Sequence, residues 1–483
     1  MEDGMLMDKK KWLMDSIERK SGLYADISDR IWGYAETRFD VKKSADLYIG
    51  FLKNEGFEVV RGIAGMEHAF VAAFGSGKPV IGVLAEYDAL ANMSQAADIA
   101  EKCILEAGAN GHGCGHNALG AGSLAGAVGI KDLMAEFGLK GTVKLYGCPA
   151  EETGYGKAFM ARNGDFQGVD AFLTWHPMDV TEVWGKSSLA VLQMHFDFRG
   201  VSSHAGAAPE LGRSALDAAE LMNIGVNFLR EHIIDDARIH YAFTDAGGLS
   251  ANVVQAAASL HYLIRAPKQD QVKAIYERVL KIAKGAAMMT ETEVNIRWDS
   301  ACANYIVNRS LAKAMHENMK SVFPLPFTGE ELKYEGQFFE TLSEEMRKTL
   351  HTRAKSMFPS GSREFIDNTA GKALNDELGE LVFSDKPMTG STDVADPSWL
   401  APTAQLNVAC MPHGTPPHSW QWVATGKSSV VHKGLIAAGK VIAMTALDIL
   451  EDMKLLEDAK REHMDNLGGE QYVCMIPEDV MPG

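Results

Sequence analysis

Four short, almost wholly apolar runs constrain this chain more than any other feature: 78–88 (KPVIGVLAEYD), 141–152 (GTVKLYGCPAEE), 169–177 (VDAFLTWHP) and 403–410 (TAQLNVAC). Runs of this length without polar alternation, separated by helical stretches, predict strands buried on both faces of a mainly parallel sheet. Between the first two lies NALGAGSLAGAVGIKDLMAEFG, whose alanines and glycines let a helix pack close to a sheet, with Gly138 as its expected stop. The fold class expected is α/β.

The middle of the chain reads differently. LAVLQMHFDFRG alternates like a half-exposed antiparallel strand, and GRSALDAAELMNIGVNFLREHII follows as a helix. Then come a strand-like SLHYLIRAP, an amphipathic helix QDQVKAIYERVLKIAKGAAMMT and a strand TEVNIRW. Residues 190–302 therefore read as a small α+β domain inserted into a larger α/β domain formed by 1–189 and 303–483. A chain of 483 residues fits two domains, because one core rarely outgrows ~250–300 residues. Helices are expected over MDSIERKSGLYADISDRIWGYAE and over KSADLYIGFLKNEG, the latter ending near Gly56 and leading into a strand. Between 325 and 385 the polar, loop-rich sequence suggests no particular element.

Charge and cysteine usage narrow the partners. A formal net charge of −17 argues against nucleic acid and against an anionic membrane surface, although one pocket can still reverse the local sign for an anionic substrate. The six cysteines are scattered without a CxxC pair, which does not read as a disulfide framework. The charged N-terminal stretch lacks the apolar core of a signal peptide, and no uninterrupted apolar run reaches ~18 residues. A cytoplasmic protein with no membrane span is expected.

Chemistry-bearing residues gather where the apolar runs end. The first ends in Asp88, the second in Glu151 and Glu152, the third in His176, and His413 and His418 follow the fourth. GHGCGHN (111–117) stands at the start of the Ala/Gly helix. In open α/β sheets, ligands bind beyond the carboxyl ends of the strands. Imidazole, carboxylate and thiolate together favour zinc or a neighbouring transition ion over magnesium or calcium. Cys114 and His116 lie two apart, so a turn permitted by the flanking glycines would aim both at one centre. Adjacent Glu151 and Glu152 should point different ways, so that one holds metal while the other takes a proton from water, the minimum for metal-assisted amide hydrolysis.

Each residue also has a plainer reading. Cys114 alone could be a buried thiol or a nucleophile, and His112 could merely cap a turn. Asp88 fits a helix N-cap as well as a group that fixes a histidine tautomer. PHGTPPHSW leaves open whether His413 or His418 reaches a metal. His204, in a Ser/Gly/Ala setting, could simply bond to backbone. Arg265, on an apolar strand 13 residues after Asn252, needs a partner: a substrate carboxylate, or an Asp or Glu of the same chain.

Taken together, GHGCGHN, YGCPAEETGYGK, LTWHP, SSHAGAAPELGRSALDA, NVVQ…IRAP and GTPPHSWQ resemble the metal-dependent amidohydrolases of the aminoacylase/carboxypeptidase-G superfamily over nearly the whole chain. The resemblance implies two divalent metal ions per subunit, manganese or zinc, held by Cys114, His116, Glu152, His176 and His418, with Asp88 behind them. It implies Glu151 as general base, and a lid that also makes a dimer, either with an identical chain or with a homologous subunit. His204 would reach into the neighbouring subunit's site to stabilise the oxyanion, and Asn252 and Arg265 would grip a substrate carboxylate. The substrate expected first is p-aminobenzoyl-glutamate. Other N-acyl amino acids such as indole-acetyl-aspartate or fatty-acyl amino acids, and dipeptides, are the alternatives, as is a non-catalytic partner subunit. Two departures bear on the metals. Relatives carry Asp and a further His after Cys-Gly-His where this chain has Asn117 and Leu119, and Asp-Xaa-Asp where it has Glu86-Tyr87-Asp88.

Overall fold

The computed structural model describes residues 2–483, with side chains described from residue 6 onward. The four apolar runs form the parallel centre of a seven-stranded sheet. Its strands are β1 (Glu58–Arg61), β2 (Phe70–Ser76), β3 (Val80–Glu86), β4 (Gly141–Cys148), β5 (Ala171–Met178), β6 (Glu182–Val183) and, after a long excursion of the chain, Thr403–Ala409. The excursion carries β7 (Ala190–Arg199), β8 (Arg238–Asp245), β9 (Ala257–Ala266) and β10 (Glu293–Cys302), so Thr403–Ala409 is β11. The large sheet has the order β1-β2-β4-β3-β5-β11-β6. β4, β3, β5 and β11 run parallel, and β2, β1 and β6 pair antiparallel at its edges. Burial on both faces explains the unbroken apolarity: every residue of β11 is buried.

The Ala/Gly helix spans His116–Phe137, and Gly138 closes it in the left-handed region at φ 64°. Its glycines permit the close approach the composition predicted. A Cβ on Gly120 would stand 2.5 Å from the Glu86 carbonyl and 2.3 Å from Tyr48 Oη. The helix Ser429–Glu451 shares the same core. It is long and apolar enough to cross a membrane, but 83% of its most apolar window is buried inside the molecule. Lysines at 433 and 440 interrupt its apolar sequence.

The second sheet is antiparallel, in the order β10-β7-β9-β8. Helices Ala215–Leu229 and Gln269–Met289 share one hydrophobic cluster with it. Three of its strands were expected and β8 was not, although Ile239, Tyr241 and Phe243 alternate along this edge strand; of these only Ile239 is buried. Between 325 and 385 the chain forms helices Gly329–Phe339, Glu344–Met357 and Arg363–Ala370, where no element had been foreseen. Each buries only two or three side chains, too few for a periodic signal, but each begins at a Thr or Ser N-cap: Thr328, Ser343 and Ser362. The first is a capping box with Glu331, legible in the sequence as T-G-E-E. At the N-terminus, two helices meet at Lys20.

Candidate metal centre

GHGCGHN turns a corner as the glycines required. Gly115 lies in the left-handed region at φ 73° and caps the helix that His116 begins. That turn carries Cys114 and His116 to one centre. Cys114 Sγ stands 3.6 Å from His176 Nε2, and donor atoms of Cys114, His116 and His176 all lie within 4.8 Å of one another. A second group of the same span joins Cys114, Glu152 and His418, so Cys114 is common to both. Ala150, at φ 62°, bends the chain just before the glutamate pair. Glu152 Oε2 reaches His418 Nε2 at 3.3 Å, and Glu151 Oε2 lies 3.9 Å from His116 Nε2.

The surrounding bonds orient these donors. His176 Nδ1 donates to the Pro177 carbonyl at 2.7 Å, leaving Nε2 to face the centre. His116 Nδ1 lies 3.1 Å from the Asp88 carbonyl and 3.3 Å from Asp88 Oδ1, while Asp88 Oδ2 accepts the Glu152 backbone N–H at 3.1 Å. One buried carboxylate thus ties two arms of the centre together, the arrangement that fixes a ligating tautomer. Asp88 caps no helix. His418, also at positive φ, donates its backbone N–H to Gly113, which docks its loop on the cysteine turn.

Of the two histidines that competed, His418 is therefore the one near the other donors. His413 is buried away from them, with its backbone N–H on the Ala373 carbonyl. His112 stands outside the donor groups: Nε2 donates to the Ile31 carbonyl at 3.0 Å, and burial pushes the ring down to about 3. Asn117, suspected of altering how metals are held, points elsewhere. Its amide donates to Ser28 Oγ and to the Gly426 carbonyl, each at 3.0 Å, so it fastens the helix to neighbouring segments.

His116 Nε2 and Glu152 Oε1 are buried and without a hydrogen-bond partner in the protein. Buried donor atoms left bare in this way fit a cation, because an unsatisfied polar atom otherwise costs ~1–3 kcal/mol. Burial, followed by the charge of Glu152, pushes the Cys114 thiol well above its ordinary value. That opposes a free nucleophilic thiolate, which needs the reverse shift. Burial, then the charges of Glu86, Glu152 and Asp393, push the Glu151 carboxyl well above the usual range.

Sequence reasoning missed a buried ion cluster beside the centre. Lys157 is fully buried, with Nζ 2.7 Å from Glu86 Oε1 and 2.6 Å from Asp393 Oδ1. Burial alone would lower its pKa, but Asp393 and Glu86 hold the ammonium well above the ordinary lysine value. Glu86 Oε2 in turn lies 3.3 Å from His116 Nε2, which brings Glu86 into a third donor group with His116 and Glu151. Glu86 was visible only as a departure from Asp-Xaa-Asp, and no spacing could have joined residues 157 and 393. A further group, His195, His261 and Asp299, lies on the smaller sheet, where the imidazoles stack at 4.5 Å and Asp299 pairs with Arg38.

The donors open onto a cavity of about 480 Å³. Trp175, Trp184, Trp422, Met178, Met357 and Met388 give it apolar walls, and Arg265, Lys186 and Arg353 bring cations. Arg353 is held by Asp179 at 2.6 Å. Arg265 donates to Ser391 Oγ at 2.8 Å and, among the described residues, has no carboxylate within ion-pair range. The same-chain Asp or Glu partner considered for it is therefore not there. His204 and Asn252 are elsewhere. His204 is exposed and its Nδ1 accepts the backbone N–H groups of Gly206 and Ala207, while the Asn252 carbonyl accepts the Ala205 N–H. The two share one loop pair and do not line this chain's cavity.

A thiol, imidazoles and carboxylates at the carboxyl edge of a parallel sheet, facing a cavity with an unpaired cation, define a metal-dependent hydrolase of amide bonds. Comparison with known proteins agrees, and the chain belongs to peptidase family M20/M25/M40, whose model matches residues 83–358. It is 43% identical over 472 residues, 98% of each chain, to a p-aminobenzoyl-glutamate hydrolase subunit of Escherichia coli. Among solved structures it is similar in fold to an aminobenzoyl-glutamate utilization protein from Klebsiella pneumoniae, with a TM-score of 0.61 at 16% identity over 89% of this chain and 98% of that one. A dinuclear metal binding peptidase of the same family from Bacillus subtilis gives 0.54 at 16% identity, covering 90% and 99%.

Proposed function

We propose that this protein hydrolyses p-aminobenzoyl-glutamate to p-aminobenzoate and glutamate, using two divalent ions, manganese or zinc. The observation that carries this reading is the pair of donor groups sharing Cys114 on the wall of one cavity, with Glu151 beside them. Cys114, His116, Glu152, His176 and His418 would hold the ions, and Asp88 would set the His116 tautomer. Ions bound there would polarise the amide carbonyl and acidify water. Glu151 takes the proton from the attacking water and returns it to the leaving nitrogen. Arg265 binds a carboxylate of the amino acid, which supplies the partner its position demands.

Residues 190–302 act as a lid and a dimerisation surface in this reading. Ile224, Phe228, Tyr241, Phe243 and Leu249 of this segment are exposed, and large apolar side chains left in solvent support a contact surface there. His204 and Asn252, absent from their own chain's cavity, would serve the partner's. The Escherichia coli relative is itself named as a subunit, and a homologous second chain is the other possible partner.

The direct test is to remove metal by chelation, add back manganese or zinc, and measure glutamate released from p-aminobenzoyl-glutamate. Restored release is expected; no release with either metal removes this substrate and leaves other N-acyl amino acids. Dimer function is tested by mixing the His204→Ala and Glu151→Gln variants, each inactive alone. If His204 acts across a two-fold interface, random pairing restores about one quarter of wild-type activity. Absence of complementation, with mixed dimers demonstrated, would place His204 outside the partner's site.

A further inference from the structure

The cavity continues past the metal donors across the end of the large sheet. β5, β11 and β6 are consecutive strands, and their register sets His176 beside Asn407 and Asn407 beside Glu182. All three line the cavity. With strands ~4.8 Å apart, Glu182 stands about 10 Å along this row from His176. Met178 and Trp184 flank the row. Such a slot has room for one flat ring between a carbonyl at the metal donors and a group at the far end.

That far end is polar and incompletely satisfied. Asn407 is 6% exposed, and its Oδ1 has no hydrogen-bond partner in the protein. Trp184 Nε1 is also buried without one. An unpaired buried polar atom calls for an explanation: Asn407 Oδ1 is an acceptor facing the cavity and calls for a donor, whereas the Trp184 indole N–H can only donate. Glu182 adds carboxylate oxygens next to Asn407, and burial pushes its carboxyl up. Lys186 lines the same region and has no ion-pair partner among the described residues.

We propose that Asn407 and Glu182 form a recognition site for a hydrogen-bond donor at the far end of a flat aromatic acyl group, an arylamine above all. This rests on the amidohydrolase reading, which puts the scissile carbonyl at the metal donors. Asn407 Oδ1 accepts one N–H of the amine and the Glu182 carboxyl accepts the other. The Met178 and Trp184 side chains pack on the ring. These residues set specificity and take no part in bond cleavage.

The test uses the full-length, metal-loaded protein and measures binding of three acids by calorimetry. 4-Aminobenzoate carries the donor, 4-methylbenzoate has the same length without it, and terephthalate puts an anion at the far end. 4-Aminobenzoate is expected to bind at least about ten-fold more tightly than 4-methylbenzoate, because a site built to bond a polar group rejects the analogue that lacks it. Asn407→Leu should bring that ratio to near one, and Glu182→Gln should lower it part-way. Equal binding of the amino and methyl acids by the wild-type protein overturns the proposal, and needs no variant to fold. Tightest binding of terephthalate also overturns it, since Lys186 would then be reading an anion. Selective binding of 4-aminobenzoate without glutamate release from p-aminobenzoyl-glutamate leaves this site standing and removes that compound as the substrate. Release without selectivity does the reverse.

Discussion

Glu151→Gln lowers kcat for amide hydrolysis about 10²–10⁴-fold, the range a positioned general acid–base contributes, while metal content stays at the wild-type level. Gln keeps the shape of the side chain and loses the ability to take up a proton. Glu151 stands at the cavity wall, 3.9 Å from His116, and burial with three neighbouring carboxylates raises its proton affinity. Glu152 is bonded to His418, and its carboxyl is brought below the usual range: burial would raise it, but the His418 hydrogen bond and the charge of His116 outweigh that. Of the adjacent pair, Glu151 is thus the one disposed to hold a proton. Glu152→Gln should instead release metal, and Asp88→Asn should weaken metal affinity about 10–100-fold with turnover recovered at saturating metal. Elemental analysis beside steady-state kinetics separates the three. Unchanged activity of Glu151→Gln in an assembled complex would mean that this chain is a non-catalytic subunit.

Lys157→Met destabilises the protein by ~3–5 kcal/mol, the cost of leaving buried charges without their counter-ion. Its ammonium is the ion-pair partner of both Glu86 and Asp393 at the edge of the centre. Removing it leaves two carboxylates in the interior, where one or both must become protonated. The Asp393 carboxyl already stands up at about 6, through burial and despite Lys157. Adding Asp393→Asn to Lys157→Met should recover part of the loss, because it removes one of the stranded charges. Urea unfolding of both variants measures this. Equal stability of Lys157→Met and wild type would show that the cluster carries no such weight.

Much of the fold was legible because burial on both faces leaves no room for polar alternation. The four apolar runs became the four parallel strands, and Gly138 ended the helix it was expected to end. β8 did carry a signal, the alternation of Ile239, Tyr241 and Phe243, whereas the three helices between 329 and 370 each bury only a narrow face. Their caps at Thr328, Ser343 and Ser362 were the available signal, and reading caps before periodicity would have found them.

What the sequence determined by itself was a set of candidate donors: a thiol and imidazole two residues apart among glycines, a glutamate pair, and histidines after strands. Strand ends are where an open parallel sheet binds ligands, so their position in the chain singled them out. The tertiary structure alone set His418, and not His413, beside Cys114 and Glu152, turned Asn117 away to Ser28 and Gly426, and joined Lys157 to Asp393 across 236 residues. It also set Asn407 and Glu182 beside His176, since strand order and register belong to the sheet and not to any one strand. Each of these is a long-range pairing, fixed by which buried groups must satisfy one another once the chain has closed around them.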